Sequence, residues 1–201
     1  MEKIPNLIID NFLTSEELES VWRELEYLRQ GGFFLPPENT GSAVDPDTKE
    51  ALKQNSGIFY AEMFHTSTRP KTAVERVFQT FFQGKSRVSI LDQYRDLSVA
   101  TGSVQNSRFG STLVSYYENG EHYKSHQDDG YTTMLLWLYK EPKRFTGGNL
   151  IFTQTQEEIE AKNNRLLIFP SWCFHEVPEV VLPKEYQNQG FGRYCLTYFM
   201  L

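Results

Sequence analysis

The segment SHQDD carries His126 and Asp128 two positions apart, and FPSWCFHEV carries His175 further on. In a β-strand, residues i and i+2 share a face, so one strand can aim an imidazole and a carboxylate at a single point. A neighbouring strand can bring His175 to the same point. Two histidines with one carboxylate form the facial set that suits non-haem Fe(II) and leaves coordination positions open for reactants. Taken alone, an HxD and a distant histidine arise readily by chance in a chain with four histidines and 26 acidic residues. The surroundings therefore have to decide. Past His175, the run GRYCLTYFML puts Arg193, Cys195 and Thr197 on one strand face, where a guanidinium and a hydroxyl can converge on one carboxylate. A buried arginine in an apolar strand demands an anion, which a structural salt bridge to Asp or Glu would also supply.

Other residues of reactive type have weaker patterns. Cys173 and Cys195 are the only cysteines, and each stands two residues from a candidate site residue. Neither belongs to a CxxC pair, so packed apolar cysteine is favoured over soft-metal ligation. His65 and His122 lack partners at ligand spacing and fit surface or packing roles. Asp129 points away from Asp128 in a regular strand and suits a turn or a supporting bond.

These side chains need a scaffold, and the chain changes character near Gly110. Before it come helical signals. Thr14 and Glu17 have capping-box spacing, Leu13 and Leu18 stand at staple positions, and Leu18, Val21, Trp22, Leu25 and Leu28 make an apolar stripe ended by Gly31 and Gly32. A stretch rich in Gly, Pro, Asn and Asp then runs to about Thr68 and reads as a long excursion or lid. After Pro70, Val74, Val77, Phe78 and Phe81 repeat at helical spacing. Beyond Gly110 the runs STLVSYY, HYKSHQD, TTMLLWLY, NLIFTQ, RLLIFP and GRYCLTYFML read as short strands. TTMLLWLY is apolar on both faces, as a central strand covered on each side requires. The expected fold is mainly β: a double-sheet jelly roll, or double-stranded β-helix, with N-terminal helices packed on one sheet. A length of 201 residues with 39% hydrophobic content fits one domain, residues 1–110 supporting a core of 111–201.

Residues from about Leu113 to Leu201 resemble the 2-oxoglutarate/Fe(II) oxygenase superfamily, and its prolyl 4-hydroxylase branch most of all. YYENGEHYKSHQD resembles the family's tyrosine, glycine turn and HxD; TGGNL resembles its double-glycine strand; RLLIFPSWCFHEV resembles the strand leading to the distal histidine; GRYCLT resembles the closing strand. The resemblance implies iron ligation by His126, Asp128 and His175. It also implies that Arg193, helped by Thr197, binds the C5-carboxylate of 2-oxoglutarate. Tyr116 matches a family position that reaches the cosubstrate pocket, though a core role fits it as well, while Tyr117 and Tyr123 can simply pack against the sheet. Two departures stand out. Trp137 occupies the place of a cosubstrate-bonding tyrosine, and its indole N–H can donate but not accept. The stretch PEVVLPKEYQNQGFG, between His175 and Arg193, is longer than in compact members and is expected to form a rim loop.

The implied reaction couples oxidative decarboxylation of 2-oxoglutarate to hydroxylation of a C–H bond, with Fe(II), 2-oxoglutarate and O₂ required and ascorbate a candidate auxiliary. A prolyl residue in a peptide or protein is the first substrate expectation, a free amino acid or other small molecule the second. Phe33, Phe34 and Tyr60 could line its site, although such aromatics often anchor cores. Nucleic-acid demethylation by AlkB-type relatives uses a closing RxxxxxR pair, and here Phe199 stands six residues after Arg193. Halogenation needs the carboxylate ligand replaced, and Asp128 is present. A non-enzymatic jelly-roll binder would not need the whole constellation. The formal charge of −6 and a pI near 5.3 give no general attraction to nucleic acid or anionic lipid. No apolar run approaches the roughly 20 residues of a membrane span. With no signal-like start and no disulfide framework, the expected place is the cytosol, of a host if the gene is viral.

Overall fold

The structure is a computed structural model that describes residues 3–60, 72–83, 85–107 and 109–201. His65 and the end of the Gly/Pro-rich excursion lie outside the described residues. The chain opens with β1 (Leu7–Asp10) and α1 (Ser15–Gln30). The start of α1 is closed reciprocally: Thr14 Oγ1 accepts from the Glu17 amide at 3.3 Å, and Glu17 Oε2 accepts from the Thr14 amide at 3.0 Å. Its exit uses Gly32, whose φ of +70° suits a residue without Cβ. After β2 (Ser56–Phe59) come α2 (Ala73–Gln83) and α3 (Lys85–Arg95).

The strands then follow in close succession: β3 (Gly110–Tyr117), β4 (Tyr123–His126), β5 (Thr132–Leu138), β6 (Thr146–Gly147), β7 (Leu150–Phe152), β8 (Glu157–Ile159), β9 (Arg165–Pro170), β10 (His175–Val177), β11 (Val180–Val181) and β12 (Arg193–Met200). They form a six-stranded sheet in the order β1-β9-β5-β12-β3-β2, a four-stranded sheet β4-β10-β7-β8, and a small pair β11-β6, all antiparallel. This is the jelly-roll arrangement expected, with helices on the large sheet. β5 and β12 are its central strands, and every residue of β5 is buried.

The alternation of side chains along these strands separates two cores. Leu136, Leu138, Leu166, Ile168, Tyr194 and Leu196 face α1 and α2, where Val21, Leu25, Leu28, Val77, Phe78 and Phe81 meet them. Leu135, Trp137, Leu167, Phe169 and Cys195 face the other way, against Leu150 and Phe152 of the small sheet. Each aliphatic side chain so buried contributes about 1.5–3 kcal/mol by leaving water. The register across β12 sets the phase of both faces, with Arg193 opposite Tyr117, and Thr197 between Leu113 and Leu135.

Two segments differ from expectation. The stretch between His175 and Arg193, expected as a rim loop, is largely irregular but well packed. Its β11 pairs with β6, and Val180, Leu182, Tyr186 and Phe191 pack with Tyr117, Tyr139 and Phe145 into a third apolar cluster that closes one end of the sandwich. The described part of the Gly/Pro-rich excursion is pinned by backbone bonds. The Gln54 amide donates to His122 O, the Lys124 amide to Leu52 O, and the amides of Leu35 and Gly57 exchange bonds. These isolated bridges tie residues 52–54 to the chain at His122–Lys124 and close residues 35–57 on themselves.

Candidate active site

β4 and β10 are neighbours, and their register places His175 directly opposite His126. Asp128 lies two residues past the end of β4, not within it. Its amide donates to Ser171 O at 3.1 Å, which keeps the carboxylate on the inner face after the strand has stopped. His126 Nε2 is 3.6 Å from Asp128 Oδ1, and His175 Nε2 is 3.6 Å from Asp128 Oδ2. Among the described residues these three form the group of His, Cys, Asp and Glu side chains arranged to hold a metal ion. Cys173 and Cys195 are buried free thiols outside that group, and both pack in the inter-sheet core.

The backbone sets the tautomers. His126 Nδ1 lies 2.8 Å from Lys124 O, and His175 Nδ1 lies 3.0 Å from Cys173 O. A carbonyl only accepts, so each Nδ1 carries the proton and each Nε2 presents a lone pair toward Asp128. Burial holds His175 down to about 4, and His126 adds to that effect while Asp128 opposes it. Burial raises the Asp128 carboxyl, but His175, His126 and Thr133 outweigh it and leave it below its ordinary range. At neutral pH the set is therefore ready to ligate: a neutral His175 and an ionised carboxylate.

A support for Asp128 escaped sequence reasoning. Thr133 Oγ1 donates to Asp128 Oδ2 at 2.7 Å and lies 2.9 Å from Ser171 Oγ. Thr133 gives its one proton to the carboxylate, so Ser171 is the donor to Thr133. Bonds of this kind orient a ligating carboxylate. The residues come from β5 and from the turn after β9, and no spacing links them to the HxD.

Arg193 enters the same small cavity, of about 40 Å³, which is lined by His126, Asp128, His175, Arg193 and Thr197, with Leu113, Leu135, Leu150 and Val177 as apolar wall. Its side chain is 1% exposed, and none of Nε, Nη1 and Nη2 has a hydrogen-bond partner. Among the described residues no carboxylate pairs with it, so the salt-bridge alternative finds no partner. The guanidinium lies 4.7 Å from the Tyr117 ring and 5.8 Å from the Trp137 ring. Gly148 makes room for it, since a Cβ there would come within 3.0 Å of Arg193 Cδ. With a φ of +69° and Val180 Cγ2 at 2.8 Å from the same point, this explains the second glycine of TGGNL. A fully buried guanidinium that meets ring faces and no carboxylate among the described residues is costly unless an anion completes it. The cavity thus fits a carboxylate at one end and a metal ion at the other.

Tyr116 is a correction. It sits on the opposite face of β3, where its hydroxyl donates to Glu118 at 2.8 Å and accepts from the Gly192 amide at 3.2 Å, and its ring packs on Tyr194 at 4.6 Å. A shift of one residue along a strand exchanges faces. Ser115 and Tyr117 line the cavity instead. The register decides it: Arg193 aims at the site, so its cross-strand partner Tyr117 does as well. Trp137 lies on the inner face, 0% exposed, with no partner at Nε1. Tyr123 is also a site residue rather than simple packing, its ring stacked on His126 at 3.5 Å. His122 stays outside the cavity, and Asp129 stands at its outer mouth. Phe33, Phe34 and Tyr60 do not line the site. Phe33 stacks on Tyr27, Phe34 packs on Tyr116 and Tyr194, and Tyr60 donates to Glu24 at 2.7 Å. Phe59 takes the place expected of them.

Comparison with known proteins agrees with this geometry. The family model described as the 2OG-Fe(II) oxygenase superfamily matches residues 112–201, the strands that carry the cavity. An uncharacterised PKHD-type hydroxylase of Synechocystis is 30% identical, over 92% of this chain and 67% of its own length. A prolyl-4-hydroxylase of Pseudomonas putida superposes with a TM-score of 0.61 at 17% identity, covering 98% of this chain and 93% of that one. A prolyl hydroxylase from Trichoplax adhaerens, solved with a hypoxia inducible factor peptide, superposes with a TM-score of 0.65 at 18% identity, covering 99% and 84%. The two structures share the fold, and the Synechocystis relative is similar in sequence along almost the whole chain. The chain belongs to the 2OG-Fe(II) oxygenase superfamily, as an enzyme that uses Fe(II), 2-oxoglutarate and O₂ for hydroxylation.

Proposed function

We propose that His126, Asp128 and His175 hold the iron, that Arg193 holds 2-oxoglutarate, and that the bond hydroxylated belongs to a prolyl residue of a peptide or protein. The observation that carries the assignment is one cavity with a His–Asp–His set at one end and a fully buried, unpaired guanidinium on the neighbouring sheet. Bound there, Fe(II) supplies the activation of O₂ that couples decarboxylation of 2-oxoglutarate to oxygen insertion into a C–H bond. The rest is done by the chain. Lys124 O and Cys173 O keep both imidazoles in the ligating tautomer, and Thr133 keeps Asp128 turned inward. Arg193 grips the C5-carboxylate as a fork, with the Thr197 hydroxyl as a further donor and Tyr117 flanking the guanidinium. Trp137 offers its indole N–H beside Arg193 as a donor to the same anion. Leu113, Leu135, Leu150 and Val177 exclude water around the reacting atoms.

The prolyl substrate is supported by the prolyl hydroxylases among the structural neighbours and by the hydroxylase name of the Synechocystis relative. A panel of proline-containing peptides, free amino acids and other metabolites tests it, read by succinate release and by gain of one oxygen in substrate mass. Prolyl peptides should accelerate succinate release and gain oxygen. If they do neither while a free amino acid or metabolite does both, the prolyl-peptide assignment is wrong.

A further inference from the structure

Outside the iron and cosubstrate cavity lies a second, wider one, which reaches Asp128 from the solvent side. Its walls include Gly41, Ser42, Lys53 and Phe59 from the pinned N-terminal segment, and Tyr123 and Asp129 from the β4 side. Tyr123 separates the two cavities and lines both. The outer space borders Asp128 and so offers a primary substrate a route to the iron.

Lys53 is the unusual residue there. It is 2% exposed, yet among the described residues no carboxylate forms an ion pair with it. Its ammonium donates to Thr40 O at 2.8 Å and lies 5.9 Å from the Tyr123 ring, which in turn stacks on His126 at 3.5 Å. A neutral carbonyl and a ring face leave a buried ammonium short of both charge and acceptors, because Lys has three donors to place. Lysine is almost never fully buried unless paired. Burial alone pulls its ammonium down to about 8, with no neighbouring acid to hold it up. A purely structural role, tying the 40–53 segment together, would be met by an uncharged donor at far lower cost.

We infer that Lys53 is a specificity residue of the outer cavity, and that its missing counter-ion is a carboxylate carried by the primary substrate. This rests on the inner cavity being the iron and 2-oxoglutarate site, and it narrows the prolyl substrate to one with an acid close to the reacting ring. That acid is either the terminal carboxylate of a free or C-terminal proline or the side chain of an adjacent acidic residue. The two sources share one chemistry and are separable by experiment.

The test uses the protein loaded with Mn(II) and 2-oxoglutarate, whose uptake is measured first, and calorimetric titration with two matched pairs. N-acetyl-L-proline against N-acetyl-L-prolinamide probes the terminal acid. Acetyl-prolyl-glutamyl amide against acetyl-prolyl-glutaminyl amide probes the side-chain acid. The acid of one pair should bind about 10-fold or more tightly than its neutral partner, as a charge-assisted bond provides, and Lys53→Met should erase that preference. The pair that shows it names the source. Equal binding of acid and neutral partner in both pairs, a preference that survives Lys53→Met, or no binding of any probe into the millimolar range would overturn the role given to Lys53. If Lys53→Met does not fold, the wild-type comparison decides alone. A protein that takes up Mn(II) and 2-oxoglutarate but prefers no acid keeps the inner-site assignment and loses only this one; a protein that takes up neither loses both.

Discussion

His175→Ala should abolish Fe(II) binding at micromolar concentrations while leaving a folded domain. His175 stands opposite His126 on adjacent strands of the small sheet, with its Nε2 3.6 Å from Asp128 Oδ2. Removing it leaves one imidazole and one carboxylate, a pair that cannot define a facial site. Loss of a supporting bond to a metal ligand typically costs about 10–100-fold in affinity, and loss of the ligand itself should exceed that. The imidazole also packs on Phe169 at 4.9 Å, so the alanine variant will be less stable. The cooperative thermal transition of the metal-free protein separates the two effects. His126→Ala should behave alike, and full iron occupancy in either variant would remove that residue from the site.

The second large effect belongs to Arg193→Lys. Lysine keeps the charge but loses the planar fork, and its compact ammonium cannot bond both oxygens of a carboxylate from the same depth. Affinity for 2-oxoglutarate should fall by about 1–3 kcal/mol, which is about 5- to 150-fold, with Fe(II) binding retained. The separation between the two ligands is informative because Arg193 lies on β12 of the large sheet, and the metal set comes from the small sheet and the turn after β4. Unchanged affinity would assign Arg193 a structural role, against its lack of a carboxylate partner among the described residues.

Much of this site is local chemistry and was legible as such. The HxD pair, the alternation that puts Arg193 and Thr197 on one face, and the capping box of α1 each depend on a few neighbouring residues. What escaped depends on pairing between distant segments. Tyr116 and Tyr117 are adjacent tyrosines, and nothing within STLVSYY fixes which one faces inward; only the pairing of Tyr117 with Arg193 does. Thr133 and Ser171 are 38 residues apart and meet because β5 and β9 are hydrogen-bonded neighbours. β1 and β2 are four residues each and carry no pattern long enough to distinguish a strand from a loop. α3 was missed for a similar reason: Val88 is exposed, and its apolar positions do not form a clean stripe. No pattern in the sequence around Lys53 marks it as buried. Its burial follows from the backbone bonds that tie Leu52 and Gln54 to Lys124 and His122, far along the chain.

The most direct test is anaerobic titration of the metal-free protein with Fe(II), and then with 2-oxoglutarate, by calorimetry. One Fe(II) should bind per chain, followed by one 2-oxoglutarate whose binding is weakened in Arg193→Lys, with no stoichiometric Fe(II) uptake in His175→Ala. A wild-type protein that binds no Fe(II), or that binds Fe(II) equally well without His175, would contradict the site assignment.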